Sequence, residues 1–122
     1  MRVLVVDDEP IVLKSCRLVI GAEGWEMISS ASVAEALSIL ERITPDLLLI
    51  DVKMPVHDGM VLMRHVREKH PEIPIVVMSG YATAETVREA EGLGAAVFLP
   101  KPFTPDELAD TLRSVTKGTP KT

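Results

Sequence analysis

Residues 47–59 read LLLIDVKMPVHDG, and the rest of the predicted architecture is built around this stretch. Four consecutive apolar residues, 47–50, end in the carboxylate of Asp51. A run that is apolar on both faces predicts a central parallel strand covered by helices on each side. Such a strand carries Asp51 to its carboxyl end, and the dipeptides MP at 54–55 and DG at 58–59 then turn the chain away. In open α/β sheets, ligands bind at this edge.

Short apolar segments alternate with helical patterns along the whole chain. The predicted strands span residues 3–6, 25–30, 47–50, 75–78 and 95–99. The predicted helices span about residues 10–22, 32–40, 58–70, 83–91 and 104–115. This alternation predicts one α/β domain, a doubly wound five-stranded parallel sheet with helices on both faces. The second strand mixes polar and apolar residues, as an edge does, which favours the order 2-1-3-4-5, although the fifth strand is unexpectedly apolar for the opposite edge.

The composition is typical of a single globular domain. The chain has 122 residues, of which 47% are hydrophobic and 25% charged. Its net charge of −5 argues against direct binding to nucleic acid. We expect no membrane association, because no apolar run approaches the roughly 18 residues of a membrane span and the start resembles no signal peptide. The single cysteine, Cys16, cannot form an internal disulfide, so we expect a buried thiol in a cytoplasmic protein.

Polar groups follow four of the predicted strands at the point where each strand ends. They are Asp7 and Asp8, Asp51, Ser79 with Gly80, and Lys101. Because parallel strands of one sheet end on the same side, we expect these groups to converge. Three carboxylates in one place repel each other unless a cation joins them. Oxygen ligands without a neighbouring histidine or cysteine favour Mg²⁺. His57, His65 and His70 have no metal-ligand spacing, and we expect them at the surface.

The same groups suit phosphoryl chemistry. Lys101 offers a point charge and Ser79 a hydroxyl donor to phosphoryl oxygens, and Gly80 leaves room for a bulky anion. Asp51 can then act as the nucleophile that forms an acyl phosphate.

Four motifs together resemble the receiver domain of bacterial two-component response regulators. They are DDEP at 7–10, the pattern DxxMPxxDG at 51–59, SG at 79–80 and KPF at 101–103. Each motif alone is weakly specific, but all four occur in order and the match covers essentially the whole chain. The resemblance implies the CheY-like (βα)5 fold, a flavodoxin-like sheet of order 2-1-3-4-5. We expect the receiver domain over residues 1–117 and a polar tail or the start of a linker over 118–122.

The resemblance also implies the reaction and its metal. Asp51 takes a phosphoryl group from a phosphohistidine on a sensor histidine kinase, in a reaction that depends on Mg²⁺. Asp8 and Asp51 bind the metal directly, Asp7 acts largely through water, and the backbone carbonyl of Lys53 is a further ligand.

For the switch, the resemblance implies that Lys101 pairs with the phosphate and that the Lys101–Pro102 peptide bond is cis. Ser79 turns inward to hydrogen-bond the phosphate, and its movement passes to Phe98. This position is often tyrosine, and phenylalanine has no hydroxyl, so switching here rests on packing alone. The altered surface comprises the fourth helix, the fifth strand and the fifth helix.

Two residues flank the expected site entrance. Lys53 and Tyr81 each lie two residues beyond a site residue, Asp51 and Ser79 respectively. We hypothesise that they form a gate that tunes hydrolysis of the acyl phosphate by controlling the approach of water.

The leading hypothesis is a switch and not an enzyme, with self-phosphotransfer and slow self-dephosphorylation as its only reactions. Its partners would be the kinase, a C-terminal output domain or downstream protein, and a second copy in a phosphorylation-dependent homodimer. The start at Met1 favours an N-terminal receiver. The alternative is a small Mg²⁺-dependent phosphatase with an aspartyl nucleophile, although Lys53 stands where such an enzyme needs a second acid or base. A dinucleotide or flavin site is disfavoured, because the first strand-to-helix turn, DDEP, has no glycine-rich cradle.

Overall fold

The computed structural model describes residues 1–52, 59–80 and 83–117. Its strands are β1 (Arg2–Val6), β2 (Glu26–Ser30), β3 (Leu47–Asp51), β4 (Ile75–Ser79) and β5 (Ala95–Pro100). Its helices are α1 (Pro10–Ala22), α2 (Val33–Leu40), α3 (Gly59–Lys69), α4 (Ala84–Gly92) and α5 (Pro105–Lys117). The predicted alternation of strands and helices is therefore confirmed, with differences of one or two residues at the ends of the elements.

The five strands form one parallel sheet in the order β2-β1-β3-β4-β5, as predicted. All five residues of β3 are buried, which agrees with its unbroken apolar run and its central position. At one edge, only Ser30 of β2 is buried. At the other edge, only Leu99 of β5 is buried. The unexpectedly apolar sequence of β5 is explained by its neighbours, because both α4 and α5 contact this strand.

Side chains alternate between two apolar cores, one on each face of the sheet. On β1, Leu4 and Val6 belong to the core that also includes residues of α2, α3 and α4. Val3 and Val5 belong to the core that includes residues of α1 and α5. We call these the α2–α4 face and the α1–α5 face. Because successive strand residues point to opposite faces, the face of each residue that follows a strand end is set by this alternation.

Local hydrogen bonds fix where two of the helices begin. The amide of Glu35 donates to Oγ of Ser32 at 3.1 Å, at the start of α2. At the start of α5, the amide of Glu107 donates to Oγ1 of Thr104 at 3.1 Å, and the Glu107 carboxylate accepts from the Thr104 amide at 2.8 Å. These hydrogen bonds cap the two helices, and each cap stabilises its helix by about 1 kcal/mol. The Thr104 cap also anchors the short loop that carries Lys101.

Three further predictions concern Cys16, the histidines and the membrane. Cys16 is fully buried in the core on the α1–α5 face, as predicted. His65 and His70 are partly exposed, and His57 lies outside the described residues. Within the described ranges, no helix is both long and apolar enough to cross a bilayer.

Candidate functional site at the carboxyl edge of the sheet

The register of the sheet brings two carboxylates together. Val6 of β1 pairs with Ile50 of β3, and the residue that follows each of them in the chain is an aspartate, Asp7 and Asp51. Asp7 is 0% exposed and Asp51 is 4% exposed. The Asp7 backbone is held by a hydrogen bond from its amide to the carbonyl of Ser30 at 3.0 Å. Both aspartates follow residues of the α2–α4 face, so alternation directs them to the α1–α5 face.

Lys101 reaches the same point from β5. Its ammonium nitrogen lies 2.7 Å from Oδ2 of Asp7, 2.8 Å from Oε1 of Glu9 and 3.0 Å from Oδ2 of Asp51. Its backbone amide donates to the carbonyl of Ser79 at 2.9 Å, which ties the loop to the end of β4. The Lys101–Pro102 peptide bond is cis, the isomer that the resemblance implies.

Burial and neighbouring charges shift the pKa values of Asp7 and Lys101 in opposite directions. Burial raises the pKa of the Asp7 carboxyl, while the Lys101 ammonium and the Glu9 amide oppose this rise only in part. For Lys101, burial lowers the pKa, but contacts with Asp7, Glu9 and Asp51 outweigh burial and hold the pKa above its ordinary value. The lysine therefore stays charged at neutral pH and balances a cluster with an excess of carboxylates.

The donor set fits a hard divalent cation. Carboxylate oxygens of Asp7, Asp8, Glu9 and Asp51 all lie within 4.8 Å of one another. Oδ2 of Asp7 is buried and accepts no hydrogen bond from the described residues, so its contact with Lys101 is an ion pair only. This buried oxygen, which accepts no hydrogen bond from the described residues, lies beside three other carboxylates. Such a group of oxygens suits Mg²⁺, which takes oxygen ligands from a few carboxylates and keeps several waters.

Glu9 belongs to this cluster although the sequence predicted no role for its side chain. It directly follows Asp7 and Asp8 in the turn between β1 and α1, ahead of Pro10. Its place in the DDEP motif was the available signal. The motif alone gives no direction for its side chain, which the structure turns toward Lys101.

A cleft of about 510 Å³ opens beside the carboxylates. Its lining includes Glu9, Asp51, Gly80 and Lys101 together with the apolar side chains of Ile11, Val12, Pro102 and Phe103. A Cβ atom at Gly80 would meet none of the described residues within 4 Å, which agrees with the space expected there. Asp51 is therefore deeply placed but reachable from solvent.

The predicted switch residues lie on the other face of the sheet. Ser79 is fully buried at the end of β4, and Phe98 is partly buried on β5 beside Val77. Val77 and Phe98 both belong to the packing of the α2–α4 face. Alternation along β4 places Ser79 toward that face as well. The two residues thus share a face, while Asp51 and Lys101 share the opposite one. Lys53 and Tyr81 lie outside the described residues, so the gate and the backbone carbonyl ligand stay predictions.

Comparisons with known proteins agree with this geometry. The family model described as response regulator receiver domain matches residues 3–113. The chain is 30% identical over 112 residues to sporulation initiation phosphotransferase F of Bacillus subtilis (strain 168), covering 92% of this chain and 90% of the relative. It is 33% identical over 105 residues to the DNA-binding transcriptional regulator NtrC of Escherichia coli (strain K12). That match covers 86% of this chain but only 22% of NtrC.

Among solved structures, a CheY-like response regulator receiver domain protein from Methanospirillum hungatei JF-1 superposes with a TM-score of 0.88 at 28% identity. The superposition covers 93% of this chain and 90% of that one. These comparisons give no support to the alternative of a Mg²⁺-dependent phosphatase.

Proposed function

This chain belongs to the response regulator receiver domain family, whose standard function is phosphorylation-based switching, and we propose that Asp51 is its phosphoacceptor. One observation carries the assignment. The Asp51 carboxylate stands at the end of the central strand, beside an open cleft, with the Lys101 ammonium 3.0 Å away. A nucleophilic oxygen and a fixed cation for the transferred group are thus placed together before any donor arrives.

The reaction at Asp51 is a phosphoryl transfer from a phosphohistidine of a sensor histidine kinase. A carboxylate oxygen of Asp51 forms the new bond to phosphorus as the phosphorus–nitrogen bond of the donor breaks, and the imidazole leaves. Lys101 stabilises the charge on the phosphoryl oxygens from a position set by the Thr104 cap and the hydrogen bond to Ser79. Gly80 leaves space at the mouth of the cleft for this group.

Mg²⁺ is the proposed cofactor. Asp8 and Asp51 would hold it directly, Asp7 largely through water, and the carbonyl of Lys53 would complete the protein ligands. The proposal is supported by the carboxylate oxygens within 4.8 Å of one another and by the under-used Oδ2 of Asp7. When bound, the ion neutralises charge on the carboxylates and on the group in transfer.

The switch uses the opposite face of the sheet. We propose that Ser79 hydrogen-bonds the phosphoryl group and that its movement reaches Phe98 through packing on the α2–α4 face. Phosphorylation can shift this equilibrium only through its different interaction with the two states. The surface formed by α4, β5 and α5 would then carry the change to a partner.

The protein would act on itself and on partner proteins, with slow self-dephosphorylation and no external substrate. We propose residues 1–117 as the working unit in the cytoplasm, with residues 118–122, outside the described residues, as a tail or linker. The match covers 22% of the DNA-binding transcriptional regulator NtrC but 90% of sporulation initiation phosphotransferase F, so we propose either an attached output domain or a separate downstream protein as the partner. A phosphorylation-dependent homodimer is a further form of the same proposal.

The test is intact mass after incubation with acetyl phosphate and Mg²⁺. We expect the gain of one base-labile phosphoryl group, which disappears in Asp51→Asn and in EDTA. Asp46→Asn is the matched control, because Asp46 precedes the same strand at its opposite end and accepts a hydrogen bond from the Arg2 amide. A folded wild type that gains no mass, or an Asp51→Asn variant that gains as much as the wild type, would overturn the assignment.

A further inference from the structure

The Lys101 ammonium already has three acidic partners before a phosphoryl group arrives. They are Asp7 at 2.7 Å, Glu9 at 2.8 Å and Asp51 at 3.0 Å. Two of its three N–H donors are used in hydrogen bonds to Glu9 and Asp51, and its contact with Asp7 is an ion pair. A phosphoryl group on Asp51 would therefore share this cation with carboxylates that are already in contact with it.

The three carboxylates differ in how well water could solvate them if they left the Lys101 ammonium. The side chain of Asp7 is 0% exposed and that of Asp51 is 6% exposed, whereas that of Glu9 is 54% exposed. A carboxylate that leaves the ammonium needs water in return, because a buried charge without a partner is strongly disfavoured. Glu9 can turn into solvent, Asp7 cannot, and Asp51 is the group that is modified. The contact with Glu9 is thus the replaceable one.

Glu9 also stands close to the space that a phosphoryl group would fill. Its carboxylate and that of Asp51 have oxygens within 4.8 Å of each other, and both residues border the same cleft. A phosphoryl group on Asp51 extends into this gap, so two anions would share one ammonium at short range. Repulsion between them favours departure of Glu9.

We propose that Glu9 is a positioning residue that holds Lys101 until a phosphoryl group takes its place. This inference rests on the proposed function and adds a residue to it. Glu9 keeps the ammonium at the mouth of the cleft in the unmodified protein, and it must release the ammonium before Asp51 retains a phosphoryl group. The contact therefore opposes phosphorylation and favours the unmodified state.

The test is binding of beryllofluoride, a tetrahedral mimic of the phosphoryl group, at saturating Mg²⁺. Binding is followed by the amide NMR signals of Ser79 and Gly80. We expect Glu9→Gln to bind the mimic about two- to fivefold more tightly than wild type, the range expected when one exposed ion pair no longer has to be broken. Glu9→Asp keeps the charge on a side chain one methylene shorter, and because its contact with Lys101 is weakened we expect tighter binding here too.

Glu26→Gln is the matched control. Glu26 is another exposed glutamate in a single ion pair, 2.7 Å from Arg2, at the opposite end of the sheet. It changes the net charge equally, and we expect wild-type affinity. The proposal is overturned if Glu9→Gln binds as wild type or more weakly, if Glu26→Gln gives the same gain, or if Glu9→Asp matches wild type. If wild type binds the mimic and gains phosphate, but Glu9→Gln binds the mimic no more tightly, only the role of Glu9 is overturned. The proposed function then stands. Wild type that does neither overturns both.

Discussion

The ammonium nitrogen of Lys101 lies 3.0 Å from Oδ2 of Asp51, although the two residues are 50 positions apart in the chain. The alternation of strand residues explains this proximity. Leu49 and Leu99 both belong to the core on the α1–α5 face. Asp51 follows Leu49 by two positions, and Lys101 follows Leu99 by two positions. Because β3 and β5 flank β4 in one parallel sheet, the two side chains leave the same edge on the same face.

Gly59 supports the end of β3 that carries the acceptor. A Cβ atom at this position would lie 2.7 Å from the Asp51 carbonyl oxygen and 2.8 Å from Cα of Val52. Both neighbours are backbone atoms, so they cannot move aside without displacing the strand end. We expect Gly59→Ala to lower the free energy of unfolding by about 1–3 kcal/mol, as overpacking does. Urea denaturation measures this, and phosphorylation of Asp51 should slow in the same variant.

Gly21→Ala is the comparison variant. Gly21 lies within α1, and its Cβ would meet none of the described residues within 4 Å. We expect this change to raise the free energy of unfolding by about 0.5–1 kcal/mol through helix propensity. Equal effects of the two alanines would contradict the steric explanation for Gly59.

The sequence predicts which residues form the site better than it predicts the face of the sheet on which they lie. Parallel strands end together, so the convergence of Asp7, Asp51 and Lys101 was predictable from their positions after strands. The face of the sheet on which they lie was not predictable, because β1, β3 and β4 are apolar on both sides and show no alternation of polar and apolar residues. Glu9 could not be selected because the direction of a turn side chain depends on loop dihedral angles. The close approach at Gly59 likewise requires the positions of α3 and β3, and the sequence alone indicated only a turn.

Cys16 should be inert while the protein is folded. It is 0% exposed, and burial raises the pKa of its thiol to about 12. Only the thiolate reacts with a disulfide reagent, so both its access and its reactive form are suppressed. We expect negligible labelling by Ellman's reagent at pH 8 in native buffer and complete labelling in urea. Rapid labelling of native protein, at a rate above that of unfolding, would show that the thiol is accessible.

Asp7 should make the metal-free protein less stable as the pH rises. Burial raises its folded pKa above the ordinary value of 3.8, so the native state binds this proton more tightly than the unfolded state. The resulting stabilisation is complete below pH 3.8 and is lost as the pH rises through the folded pKa. One proton contributes a slope of at most about 1.4 kcal/mol per pH unit. Urea denaturation in EDTA, from pH 3 to pH 7, measures it.

Asp7→Asn removes this titration and keeps the shape of the side chain. We expect this variant to lose the slope that Asp7 contributes to the free energy of unfolding as a function of pH. At pH 7 in EDTA we expect it to be more stable than wild type, because one carboxylate of the cluster is gone. Asp110→Asn, an exposed change on α5, should leave the pH dependence as in wild type. An Asp7→Asn variant that is less stable than wild type at pH 7 would indicate that the ion pair with Lys101 outweighs burial.

Mg²⁺ should stabilise the folded protein by binding among the carboxylates. At 100 times the dissociation constant, a ligand that binds only the native state adds about 2.7 kcal/mol. We expect a corresponding rise in the thermal midpoint of wild type when Mg²⁺ replaces EDTA, since the carboxylate oxygens within 4.8 Å of one another exist only after folding. Asp51→Asn should lose most of this rise, and Asp46→Asn should keep it. If Asp51→Asn responds to Mg²⁺ as wild type does, the ion binds elsewhere, and neutralisation of the cluster must come from Lys101 alone.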